Sequence, residues 1–89
     1  MMIGELWVNY DDAADVLYLS MGEPKPALTH EDEDDDNLLI RVDPQTGKPV
    51  GITILEYHSR FRLLPDISWL KTRNLPNEML SYLDSRPLV

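Results

Sequence analysis

At 89 residues the chain is one small domain, 1–89, of a size that buries only about 60–65 % of the surface its unfolded form exposes. It has no cysteine, which excludes disulfides and thiolate metal sites. Eight basic residues against sixteen acidic ones give a net charge of −8, and such a balance disfavours phosphate-rich partners.

The start, Met1-Met2-Ile3-Gly4-Glu5, lacks the basic stretch and apolar run of a secretory leader. No segment approaches the roughly 20 apolar residues needed to cross a bilayer. A soluble, cytoplasmic protein without membrane contact is expected. Leu6, Val8 and Tyr10 alternate with Trp7 and Asn9, so a first strand is expected from Glu5 to Tyr10. Asp11-Asp12-Ala13-Ala14-Asp15 breaks it, since aspartates cap backbone N–H groups and two alanines allow one helical turn. A second strand follows over Val16 to Met21. It is apolar on both faces, which predicts a central place in a sheet or a covering layer on each side. Two prolines make Gly22 to Pro26 a loop, and Ala27 to His30 is expected as a short edge strand. Glu31 to Asp36 is a run of six acids whose mutual repulsion predicts a solvated, mobile loop tip.

Leu38 to Tyr57 carries the strongest signal in the chain, a β-hairpin. Leu38, Ile40 and Val42 alternate with Leu39, Arg41 and Asp43; Val50, Ile52 and Ile54 alternate with Gly51, Thr53 and Leu55. Between them, Pro44 presets a type I turn in Asp43-Pro44-Gln45-Thr46-Gly47, and Gly47 supplies its left-handed position. After Tyr57 strict alternation ends. Asp66 to Lys71 is expected as a capped helical turn, and Asn74 to Leu83 as a helix with Leu75, Met79, Leu80 and Leu83 on one face. The end, Ser85 to Val89, is expected to fray. The fold expected is α+β: an antiparallel sheet of four to five strands, a meander of hairpins over 5–57, under one or two short C-terminal helices in 66–84. Val42, Ile52 and Ile54 are expected to form its core with Leu17 or Leu19.

Tyr10-Asp11-Asp12-Ala13-Ala14-Asp15-Val16-Leu17-Tyr18-Leu19, with Val50-Gly51-Ile52-Thr53-Ile54-Leu55 downstream, resembles a family of small bacterial and archaeal proteins, domain of unknown function 2283. The resemblance covers roughly Leu6 to Arg60 and implies strands on either side of the Tyr-Asp-x-x-Ala-Asp turn, then the hairpin. It implies no agreed activity. An antitoxin-like partner of a small toxin-like protein is the role it suggests.

Asp11 and Asp15 are the sharpest candidates for chemistry, as a general acid–base pair or as ligands for a hard cation. The structural alternative, favoured on residue type, is that both carboxylates cap the turn between them. Asp32, Asp34 and Asp36 fall at positions 1, 3 and 5 of a calcium-loop template, but Asn37 replaces its glycine and Asp43 its bidentate glutamate, so no specific metal site is expected. His30 and His58 share no metal spacing. His58 and Ser59 were they on a strand would point to opposite faces, so they form no dyad. All four glycines are isolated, which leaves no phosphate-cradling loop and no cofactor to expect.

Charge is unevenly placed. Residues 1–56 hold 13 acids and 3 bases, a net of −10, and residues 57–89 hold 3 acids and 5 bases, a net of +2. Arg60, Arg62, Lys71 and Arg73, beside Phe61 and Trp69, are expected to balance the acidic sheet within the chain or across a dimer rather than to bind nucleic acid. Trp7 and Leu39 lie on strand faces opposite Leu6, Val8, Ile40 and Val42, which is more apolar surface than one sheet face buries. A partner surface of Trp7, Leu39, Arg60, Arg62 and Trp69 is therefore expected. A homodimer, or a basic protein partner, is the natural occupant. The reading is thus of a non-enzymatic interaction module, with an enzyme using Asp11 and Asp15 as the alternative.

Overall fold

A computed structural model describes residues 1–23, 28–63 and 67–85 of the chain. The proline loop after residue 23, Asp66, residues 86–89 of the expected frayed end and the side chain of Arg62 lie outside the described residues. Six strands appear in chain order: β1 (Met2–Ile3), β2 (Leu6–Asp11), β3 (Val16–Met21), β4 (Leu28–Asp32), β5 (Asp35–Val42) and β6 (Pro49–Leu55). Three helices follow: α1 (Tyr57–Leu63), α2 (Ser68–Lys71) and α3 (Asn77–Ser85). The α+β class holds, with six strands rather than four to five. The additional one is the two-residue β1, held by paired backbone bonds between Met1 and Val8; the expected edge strand appears as β4 and draws in the first acids of the charged run.

Every pairing is antiparallel, but the sheet is not a simple meander. Its order is β1-β2-β3-β6-β5-β4, so the chain leaves β3, starts again at the far edge and returns to pair β6 with β3. Composition explains this. The strand Pro49–Leu55 is apolar on both faces, and Gly51, Ile52, Thr53 and Ile54 are all buried. Left at an edge it would offer a long apolar template to other chains. Polar Leu28–Asp32 takes the edge instead, almost fully exposed. The β5–β6 turn forms as its residues dictate. The Gly47 N–H reaches the Asp43 carbonyl at 2.8 Å, the Gln45 N–H reaches the Asp43 carboxylate at 2.8 Å, and Gly47 sits at φ +71°, where glycine alone is unstrained.

Cross-strand partners share a sheet face. Leu6, Val8, Leu17, Leu19, Ile52, Ile54 and Leu38 thus form one face, and all are buried. The helices close over it with Phe61, Leu70, Met79 and Leu83, each fully buried. Val42, expected in this core, is only half-buried, because a register shift between Arg41 and Val42 carries it to the rim. The helix around Leu75 to Leu83 begins at Asn77, with Pro76 accepting from the Met79 N–H at 3.1 Å. The segment from Tyr57, expected only to lose alternation, is a full helix. Among the described residues no helix is long and apolar enough to cross a membrane.

Candidate functional site

Three arrangements of side chains stand out, and the first is centred on Asp15. The Asp11 carboxylate accepts the Ala14 N–H at 3.2 Å, which folds the Asp-Asp-Ala-Ala-Asp stretch back into β3 as a capped turn. Asp15 does not share that duty. It takes a left-handed φ of 56° and faces the start of α1, 43 residues on. Its carbonyl accepts the Tyr57 N–H at 3.0 Å. Its carboxylate accepts the His58 N–H at 2.8 Å, and the Ser59 N–H and hydroxyl at 3.2 Å each. The Arg60 N–H goes to the Glu56 carbonyl at 2.9 Å. Three N–H groups of the helix start, those of Tyr57, His58 and Ser59, are thereby satisfied by Asp15, a residue remote in sequence, and not by a local cap.

The Tyr10 hydroxyl completes the cluster, donating to Asp15 at 2.7 Å. Burial opposes ionisation of Asp15, but the hydrogen bonds from Tyr10, His58 and Ser59 together outweigh it and hold its pKa below the usual carboxylate value. The same bond, with burial and the neighbouring aspartates behind it, pushes Tyr10 up to about 12. Asp15 is thus a structural anchor with its oxygens already engaged. Asp11 and Asp15 serve separate backbones and do not converge on a common point.

The second arrangement joins the acidic run to the helices. The run is not a wholly solvated loop: Asp32 closes β4, Glu33 and Asp34 form the turn, and Asp35 and Asp36 open β5. Arg73 grips Asp32 with Nε at 3.0 Å and Nη2 at 2.7 Å, and Arg60 grips Asp35 with both terminal nitrogens, Nη1 at 2.7 Å. The Arg73 hydrogen bonds lower the pKa of Asp32 and those of Arg60 lower that of Asp35, each against burial. The Arg60 guanidinium also lies 4.2 Å from the centroid of the Trp69 ring. Like-charge repulsion in the run is relieved at these two positions by bidentate arginine, the geometry a carboxylate fits best. Four acids of the six, Glu31, Glu33, Asp34 and Asp36, stay exposed. Among the described residues no three histidine, aspartate or glutamate side chains are grouped so as to hold a metal ion; Asp32 is engaged by Arg73.

The third is the sheet face that carries no helix. Its rows follow from the register. Trp7, Ser20, Gly51, Arg41 and Thr29 are successive neighbours across five strands; Asn9, Tyr18, Thr53, Leu39 and Glu31 form the next row, and Asp11, Val16 and Leu55 the third. Ser20 and Gly51 floor a shallow groove of about 640 Å³ walled by Trp7, Tyr18 and Arg41. A Cβ added at Gly51 would meet the Leu19 carbonyl at 3.1 Å and Arg41 Cδ at 3.4 Å, so the arginine stem lies across the glycine. Trp7 and Leu39 are therefore on one face, as expected. Arg60 and Trp69 are not with them, since Trp69 packs on Phe61 and the helix-side core. Tyr18 and Arg41 belong to the face and were missing from the expected set. Strand parity places both there, Tyr18 between Leu17 and Leu19 and Arg41 between Ile40 and Val42.

The matched stretch of the chain coincides with this sheet. Residues 7–57 fit the model of the protein family of unknown function DUF2283. The chain belongs to that family. No curated protein and no solved structure matches it. The DUF2283 match runs from Trp7, at one corner of the uncovered face, to Tyr57, the residue whose N–H the Asp15 carbonyl receives. The rest of α1, α2 and α3 lie beyond it, so the Asp15 cap joins the family's sheet to the helices that cover it.

Proposed function

We propose that this DUF2283 protein is a non-enzymatic interaction module that holds a basic protein partner at its acidic β4–β5 hairpin. The observation that carries the reading is the state of the β4 edge. Leu28, Thr29, His30 and Glu31 are exposed, β4 is paired only with β5 among the described residues, and four exposed acids stand on or beside it. An open edge offers main-chain hydrogen bonds to an extended segment, and the acids select a segment rich in lysine or arginine and steer it in. The same charges repel nucleic acid. A cytoplasmic setting suits a chain without cysteine, and an antitoxin-like pairing with a basic toxin is one biological form of such binding.

An acid–base role for Asp11 and Asp15 has no observation in its favour, because Asp15 already accepts four hydrogen bonds. The test uses the full chain and a fluorescent, lysine-rich extended peptide. Saturable binding that weakens with salt and disappears in a Glu31→Lys, Glu33→Lys, Asp36→Lys variant of unchanged fold is the expected result. Binding undiminished in that variant would place the partner elsewhere.

A further inference from the structure

The uncovered face has a self-complementary layout, and the geometry points to a second copy of this chain as its occupant, packed face to face with its strands crossing at about a right angle. This goes beyond the hairpin reading and uses a different surface. Strands stand about 4.8 Å apart and alternate residues about 6.7 Å along a strand. On that grid Asp11, in the outer row of β2, and Arg41, in the first row of β5, occupy opposite corners. The point midway between them falls between Tyr18 and Thr53. A two-fold axis lying in the interface through that point exchanges the corners, so that each Asp11 meets the Arg41 of the other copy.

The same operation fixes every other contact. Leu39 comes to rest over Val16 and Leu55 of the second copy, apolar on apolar. Asn9 comes over the Ser20–Gly51 floor, and Tyr18 falls beside the axis, against its own counterpart. Trp7 lies close to the axis and meets its own counterpart. A parallel stacking instead sets Arg41 on uncharged positions and leaves Asp11 without a cation opposite. The size is adequate. The four strands β2, β3, β6 and β5 and three rows span about 19 by 20 Å, close to 400 Å² in projection, which side-chain relief raises toward the smaller specific interfaces. Two ion pairs at the corners flank the Trp7, Tyr18 and Leu39 contacts, with the charged groups at the rim as is usual for such surfaces. The β4 edge and its exposed acids stay outside the contact, so the dimer presents two copies of the proposed hairpin site.

Sedimentation equilibrium of the full chain over a wide dilution series tests this. The expected result is a dimer whose dissociation constant rises about tenfold in Asp11→Arg and in Arg41→Asp and returns toward the parent value when both are combined, since the swap restores each pair. Asp11 also caps the Ala14 turn, so Leu39→Lys, which touches neither turn nor core, serves as the second variant and is expected to yield a monomer with an unchanged thermal midpoint. A monomer mass for the parent at every concentration overturns the proposal. So does a dimer indifferent to Leu39→Lys, or a double variant no tighter than the single ones. Failure of the peptide binding above leaves these outcomes unaffected, because that site lies on the β4 edge, outside this contact.

Discussion

Asp15 shows how one residue carries structural information that its neighbours in sequence do not announce. An aspartate at the end of a strand predicts a local cap, and Asp11 supplies one. That Asp15 instead caps a helix 43 residues away leaves no spacing signature, because α1 has no acid in its first turn and the cap is supplied by the sheet. Replacing Asp15 with alanine removes the acceptor for four hydrogen bonds and places a residue intolerant of φ > 0 at a left-handed position. A loss of roughly 2–3 kcal/mol in urea unfolding is expected, at or just above the upper range for a single cap. Asp15→Asn tolerates the backbone and keeps an acceptor, so it should cost clearly less. The sign of the pH dependence follows from the directions of shift. Asp15, Asp32 and Asp35 all have lowered folded pKa values. Their contribution is present above the unfolded value of about 3.9 and is lost as pH falls below it through the folded values. Tyr10, raised to about 12, runs the other way. Its contribution is full below its ordinary pKa of about 10 and is lost as pH climbs toward 12. Acid and alkaline unfolding midpoints of Asp15→Asn and Tyr10→Phe against the parent check both arms.

At the scale of elements, the β5–β6 hairpin was the most legible part of the chain and the acidic run the least. Alternation and the Asp43–Gly47 turn chemistry are local, so period and composition suffice. Ile52 and Ile54 fall in the core accordingly. Ile52→Ala should cost about 2–4 kcal/mol, as a fully buried large-to-small change does; a loss below about 0.5 kcal/mol would place the residue on the surface. The acidic run is different in kind. Its six charges look uniform in sequence, yet Arg73 and Arg60 divide them into two that hold helices to the sheet edge and four that face water. Those arginines lie 41 and 25 residues downstream, where only the folded topology could connect them. Replacing Glu31, Glu33, Asp34 and Asp36 with serine and asparagine should therefore leave stability within about 0.5 kcal/mol of the parent. Asp35→Asn should cost about 1.5–3 kcal/mol, since it weakens a bidentate bond to a half-buried guanidinium. Equal effects from the two sets would mean that the ion pairs do not hold in solution.

For the whole molecule, the order of strands decides what the helices must do. With β3 and β6 at the centre, the three described helices cover one face, and the other keeps Ser20, Tyr18, Gly51 and Thr53 in its middle. Strand parity alone put Trp7 and Leu39 on the side away from the core. The return of β6 to β3 could not be read the same way, because any antiparallel neighbour satisfies a period of two. It follows from where the polar strand can be tolerated. The helices, for their part, are no accessory to the DUF2283 segment. Leu6, Val8, Leu17, Leu19, Leu38, Ile52 and Ile54 all face them, and burying each side chain is worth about 1.5–3 kcal/mol. Their sum, on the order of 10–20 kcal/mol, equals or exceeds the entire stability of an ordinary domain. A chain truncated after Tyr57 keeps every strand, yet it loses Phe61, Leu70, Met79 and Leu83 from the other half of the core and the donors that orient Asp15. It is expected to lose the dispersed amide spectrum of the full chain and to aggregate, with strand-like circular dichroism only in the aggregate. A dispersed spectrum from a soluble truncated chain would show that the sheet covers its core face by self-association, and the helices would then be replaceable rather than integral.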